Sequence, residues 1–112
     1  MRQVALRTTS GMLMCLVTLA VPSPLQAQSD PAKFFKANCT LCHGEDGSGS
    51  SPTGKALKAK DLRSSEVQDK SDAELAEVIM KGKGKMPAFG AKIKPDDGMK
   101  LVAYIRSLAK KP

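Results

Sequence analysis

Cys39, Cys42 and His43 stand in the run Cys39-Thr40-Leu41-Cys42-His43, and their types and spacing define one chemistry. Two thiols three positions apart can each add to a vinyl group of the same haem, forming two thioethers. The adjoining histidine then lies beneath the porphyrin, where an imidazole nitrogen can bind iron. C-x-x-C-H is the attachment signature of a c-type haem. Two other chemistries use part of the pattern. A redox disulfide of the thioredoxin kind does not need the histidine. A zinc site needs two further strong ligands, yet His43 is the one histidine and Cys15 the one remaining cysteine of the chain. The run therefore predicts one covalently bound haem c, with thioethers at Cys39 and Cys42 and His43 as an axial ligand.

A second iron ligand is expected in Lys81-Gly82-Lys83-Gly84-Lys85-Met86-Pro87-Ala88-Phe89-Gly90. A thioether is a soft donor suited to haem iron. Met86 sits in a Gly/Pro-rich stretch where Pro87 drives it into extended geometry, presenting its side chain at a defined angle. Met80 and Met99 fall inside helical patterns, where methionine usually packs a core.

The leader bears on where attachment happens. Arg2 and Arg7 precede the apolar run Gly11–Val21, Pro22 and Pro24 follow it, and small residues stand at Ala27 and Ser29. That order reads as a secretory signal peptide over residues 1–27, cleaved near Ala27. The apolar run is short against the ~20 residues of a bilayer span, so no stable membrane insertion is expected. Cys15 then leaves with the leader. Export places the chain in the periplasm or an equivalent extracytoplasmic space. Free cysteines oxidise there, which suits their capture as thioethers.

Residues 28–112 remain as a single small domain with two cysteines, no Trp and one Tyr. A core that small is marginal without a staple. Bound haem supplies both core volume and a crosslink, so the apoprotein is expected to fold poorly. The balance of basic over acidic residues could suit nucleic acid, an anionic membrane or an acidic protein. Secretion and the lack of interleaved aromatics argue against nucleic acid and leave acidic redox proteins as the expected partners.

Three helices should position the ligands. Asp30 and Pro31 are a cap and first-turn pair, opening a helix that runs into the motif. On it Phe35, Cys39 and Cys42 recur at i, i+4 and i+7 and share a haem-facing side. Ser71 and Glu74 form a capping box before the stripe Leu75, Val78 and Ile79, which Gly82 ends. Pro95, Asp96 and Asp97 open the last helix, with Leu101, Ile105 and Leu108 as its stripe. Gly98 there is read as permitting close approach of another backbone. Between motif and second helix, residues 44–54 hold four glycines and Pro52, read as a loop wrapping the haem. They lack the lysine and strand–helix setting of a phosphate loop. From Ala56 to Asp69 there is no clear period, with Leu57 and Leu62 expected inside. No segment alternates, so the fold class is all-α, with three or more helices and long loops.

Together these features resemble the class I c-type cytochromes, small bacterial and photosynthetic carriers, over nearly all of residues 28–112. The resemblance rests on Cys39, Cys42, His43, the Gly-rich loop with Pro52, the Met86-Pro87 pair and the closing helix with Tyr104-Ile105. It implies the cytochrome c fold around one haem, and a loop-proline carbonyl, here Pro52, accepting a hydrogen bond from the haem histidine. It also implies crossing of the first and last helices beside the haem, with Phe35 against Leu101 and Tyr104. Pro31 stands where family members often place a glycine, which implies a looser or shifted crossing.

The expected function is single-electron transfer by a monomeric carrier with His43/Met86 ligation. Both iron positions are then closed, which favours carrying electrons over oxygen or peroxide chemistry. The alternatives are an electron-entry subunit of an oxidoreductase complex, or a sensor or peroxidase-like protein with an open iron position. Lys81, Lys83, Lys85, Lys92 and Lys94 bracket Met86, either as a solvated face or as a docking surface.

Overall fold

The computed structural model describes residues 30–110, and the expected leader with Cys15 and Ala27 lies outside them. Six helices follow in order: α1 (Pro31–Asn38), α2 (Thr40–His43), α3 (Pro52–Leu57), α4 (Ser65–Gln68), α5 (Asp72–Lys81) and α6 (Pro95–Leu108). Among the described residues there is no strand, only one bridge between Lys83 and Met86.

The local signals act where capping chemistry places them. Asp30 accepts from the Ala32 amide at 3.0 Å, and Pro31 opens α1. Ser71 and Glu74 close their box at both ends, with Ser71 N–H donating to the Glu74 carboxylate at 2.7 Å. The first helix does not run unbroken into the motif. Its ladder ends at Cys39, where the amide still donates to the Phe35 carbonyl at 2.8 Å, and α2 restarts at Thr40. Gly44, at φ 77°, then turns the chain out of α2.

The core lies where α1, α5 and α6 meet, with Phe35, Leu75, Ile79, Leu101, Val102, Ile105 and Leu108 buried. Phe35 and Val102 are each 1% exposed. The Phe35 ring lies 5.1 Å from the Tyr104 ring, so α1 and α6 meet through this pair.

Three further expectations need correction. Residues 44–69 hold two short helices rather than loop alone. Ser51 caps α3 by accepting from the Gly54 amide at 3.0 Å, Pro52 is its first residue, and Val67 of α4 is buried. Leu57 is 39% exposed, because α3 ends there and Lys58 takes a left-handed φ of 54°. Gly98 makes room for the Met80 side chain, not for backbone: a Cβ there would lie 3.1 Å from the Met80 sulfur. Met80 thus packs against the core, while Met99 is 45% exposed.

Candidate haem-binding site

An apolar cavity of about 520 Å³, counting its open mouth, lies against the α5–α6 layer. Its wall takes Phe35 and Cys39 from the first helix and its end, His43 from α2, Leu62 and Val67 from the middle segment, and Met86 from the loop after α5. Leu75, Val78, Ile79, Phe89, Leu101 and Ile105 complete it. The chain thus brings His43 and Met86 to one cavity although they are distant in sequence. Cys42 is half-buried on α2 and does not form part of this wall.

His43 is oriented by backbone. Its Nδ1 lies 3.0 Å from the Lys60 carbonyl oxygen. A carbonyl can only accept, so Nδ1 carries the proton and Nε2 keeps its lone pair for a metal. The resemblance assigned this role to Pro52, and the geometry corrects it. Pro52 is exposed at the start of α3, and the carbonyl that lies beside the His43 ring is that of Lys60. Nothing in the sequence marks Lys60 for the task, because a backbone carbonyl has no side-chain signature.

Two further residues act behind the motif. Ser51 Oγ lies 2.7 Å from the Leu41 carbonyl and 3.1 Å from that of Cys42, so it holds the C-terminal end of α2 while also capping α3. Gly54 is buried against the same carbonyl, and a Cβ there would overlap the Cys42 oxygen. The Ser-Pro pair opening a helix was the readable signal for both.

Met86 is fixed from both sides. Its amide donates to the Lys83 carbonyl at 2.9 Å, and its carbonyl accepts from Lys83 N–H at 3.1 Å. Downstream, Phe89 and Gly90 donate to the Ile79 and Met80 carbonyls, each at 3.0 Å, tying the loop to the end of α5. Phe89 is buried and meets Phe34 edge-on, with ring centroids 5.8 Å apart.

Burial pushes the Cys39 thiol up to about 11, with the adjoining Cys42 adding to the shift. It is therefore a neutral thiol near pH 7, at home in an apolar wall. The donor set fits haem c: two thiols at attachment spacing, an imidazole with its Nε2 free, a thioether, and apolar side chains for the ring.

An all-α fold around such a wall defines a small class I c-type cytochrome, and the comparisons with known proteins agree. Residues 26–105 match the family described as cytochrome c oxidase, cbb3-type, subunit III. The chain is 38% identical to cytochrome c6 of Nostoc sp. over 92 residues, covering 80% of each protein. It is 30% identical to cytochrome c-555 of Methylococcus capsulatus, covering 94% of this chain and 85% of that one. The cbb3-type cytochrome c oxidase subunit FixP of Azorhizobium caulinodans is 33% identical over 91 residues, but the chain spans only 30% of its length. A solved structure, the KustC0563 c-type cytochrome, superposes with a TM-score of 0.65 at 31% identity, covering 70% of this chain and 96% of that one. The chain belongs to the c-type cytochromes, electron-transport proteins that carry covalently bound haem c.

Proposed function

We propose that this chain is a periplasmic, monohaem single-electron carrier, with thioethers at Cys39 and Cys42 and iron bound between His43 and Met86. The observation that carries this reading is the shared apolar cavity of His43, Met86 and Cys39. Bound haem supplies a one-electron iron couple. The residues of the chain do the rest. The Lys60 carbonyl holds the His43 proton on Nδ1, which orients the ring and raises its basicity. Met86 offers a neutral, soft donor, and Met/His ligation favours a higher potential than two histidines would. Phe35, Val67, Ile79 and Leu101 keep water from the wall, which limits reorganisation when charge moves.

Lys81, Lys83, Lys85, Lys92 and Lys94 are all exposed around the Met86 loop. That arrangement supports docking onto acidic redox proteins by electrostatic steering. No described helix is long and apolar enough to cross a membrane. The match to the FixP oxidase subunit supports a second reading, in which the domain serves as the electron-entry part of an oxidoreductase complex.

The absorption spectrum of ferric holoprotein tests the ligation. A low-spin spectrum with a methionine-to-iron band is expected, lost in Met86→Ala and kept in Met80→Ala. High-spin ferric haem at neutral pH in the wild type would instead support sensing or peroxidase-like chemistry at an open iron position.

A further inference from the structure

The carbonyl that receives the His43 proton belongs to a segment tied down at several points. The Ala59 amide donates to the Gly54 carbonyl at 2.8 Å, and the Leu62 amide donates to the Gly47 carbonyl at 2.7 Å. The Leu62 carbonyl, two residues beyond Lys60, accepts from Gln68 Nε2 at 2.6 Å. Gln68 is half-buried in the last turn of α4 and is itself held. Arg106 Nη1 donates to its backbone carbonyl at 2.6 Å and to its Oε1 at 3.3 Å. The other side of that guanidinium donates to the Lys70 carbonyl at 2.6 Å and to the Asp72 carboxylate at 2.9 Å.

A planar guanidinium with this many fixed acceptors has little freedom. It fixes which way the Gln68 amide points: Oε1 takes the Arg106 hydrogen, so Nε2 must face Leu62. The result is a relay from α6, through α4, to the segment that faces the axial histidine. Neither end of it touches the cavity wall except through the Leu62 side chain.

We propose that Gln68, locked in orientation by Arg106, is a positioning residue that sets the reduction potential by holding the Lys60 carbonyl against His43 Nδ1. This rests on His43 being an axial ligand. A hydrogen bond accepted from Nδ1–H increases imidazole basicity. A more basic ligand stabilises ferric iron more than ferrous iron and lowers the potential. Without the Gln68 donor, the Leu62 carbonyl loses a partner and the 59–62 segment relaxes away from the ring. The potential then rises. No charge changes in Gln68→Met, so the shift is not a Coulombic one.

Redox titration and proton NMR of the ferrous holoprotein test this in the wild type, Gln68→Met, Arg106→Lys and Val102→Ala. Gln68→Met is expected to change the ferric/ferrous equilibrium up to about tenfold towards ferrous, a rise of up to about 59 mV for one electron. Its His43 Nδ1–H resonance should move and exchange faster with water. Arg106→Lys should act in the same direction and less strongly. Val102→Ala truncates a side chain that is 1% exposed and lies outside both the relay and the cavity wall, so it should lower the melting temperature and leave both readouts in place. Gln68→Met with a lower melting temperature but an unchanged potential and Nδ1–H signal would reduce Gln68 to a packing role and overturn the proposal. An equal shift in Val102→Ala would overturn it too, by showing that any loosening of the packing moves the potential. Wild-type His43 ring protons lacking the large upfield shift of a haem-bound imidazole would overturn the ligation and this proposal together. Present in the wild type, they confine a failure at Gln68 to the relay.

Discussion

Gly54→Ala sets two opposed effects against each other in one substitution. Gly54 is the third residue of α3, a helical position where alanine is favoured over glycine by about 0.8–1.0 kcal/mol. On propensity alone the change should stabilise the protein. The surroundings oppose it. A Cβ would overlap the Cys42 carbonyl oxygen and lie 2.6 Å from the Gly49 carbonyl oxygen and 2.9 Å from Ser51 Oγ. Two of these atoms are backbone and cannot rotate aside. Overpacking of this kind costs about 1–3 kcal/mol or more, and rigid neighbours favour the upper part of that range. The clash therefore wins by about 1–2 kcal/mol. In a domain of this size, that lowers the melting temperature by roughly 4–16 °C.

Thermal unfolding of the holoprotein, followed by circular dichroism, reads this directly. Because Cys42 immediately precedes His43, the variant should also disturb the haem absorption bands. Gly84→Ala is the matched control: nothing lies within 4 Å of its Cβ, and only its φ of 56° opposes the substitution. That change should cost about 1–2 kcal/mol through handedness alone and leave the bands unaltered. A melting temperature for Gly54→Ala at or above the wild type would refute the reasoning, since it would mean that α3 and the motif separate easily.

Phe35→Ala removes a ring that is 1% exposed and lines the cavity. A loss of about 3–5 kcal/mol is expected, seen as a fall of more than about 10 °C in holoprotein melting; a fall of a degree or two would contradict the packing described. Ser71 holds the Glu74 carboxyl below the usual range, first through its backbone N–H. The lowered value means stabilisation that is complete above the ordinary glutamate range near 4.3 and lost as pH falls through the folded value. Glu74→Gln should therefore flatten the acid limb of stability measured between about pH 5 and pH 2, and an unchanged limb would remove the box from the account. Reversing charge in Lys85→Glu should slow association with an acidic redox protein at low salt and weaken its salt dependence. Stopped-flow rates equal to the wild type at low ionic strength would show the lysines to be a solvated face.

The parts legible in the sequence were those in which side-chain type itself carries the information. The covalent haem, the Ser71–Glu74 box and the stripes of α5 and α6 needed only spacing and residue class. The segment between His43 and α5 was not legible, and the reason is physical. Its helices span only six and four residues, too short to show a period. Their stability comes from Ser51, Gly54 and Val67 packing on the rest of the fold rather than from local propensity. Leu57 was misplaced for the same reason, since burial there depends on where α3 stops.

The histidine partner shows the limit most sharply. Resemblance implied a carbonyl facing His43, and the structure has one, but it belongs to Lys60 and not to Pro52. Any residue can supply a carbonyl, so what selects Lys60 over Pro52 is the path of the backbone. That path is fixed by the Gly47, Gly54 and Gln68 hydrogen bonds on either side of it. Gly49 leaves it room, because a Cβ there would stand 2.6 Å from the Ala59 carbonyl oxygen and 3.2 Å from that of Lys60. The glycines of residues 44–54 therefore do more than make a flexible loop. They let a second stretch of backbone lie directly against the motif. The side chain at position 60 is free to be an exposed lysine, paired with Glu66 at 2.6 Å, because the function at that position resides in its carbonyl.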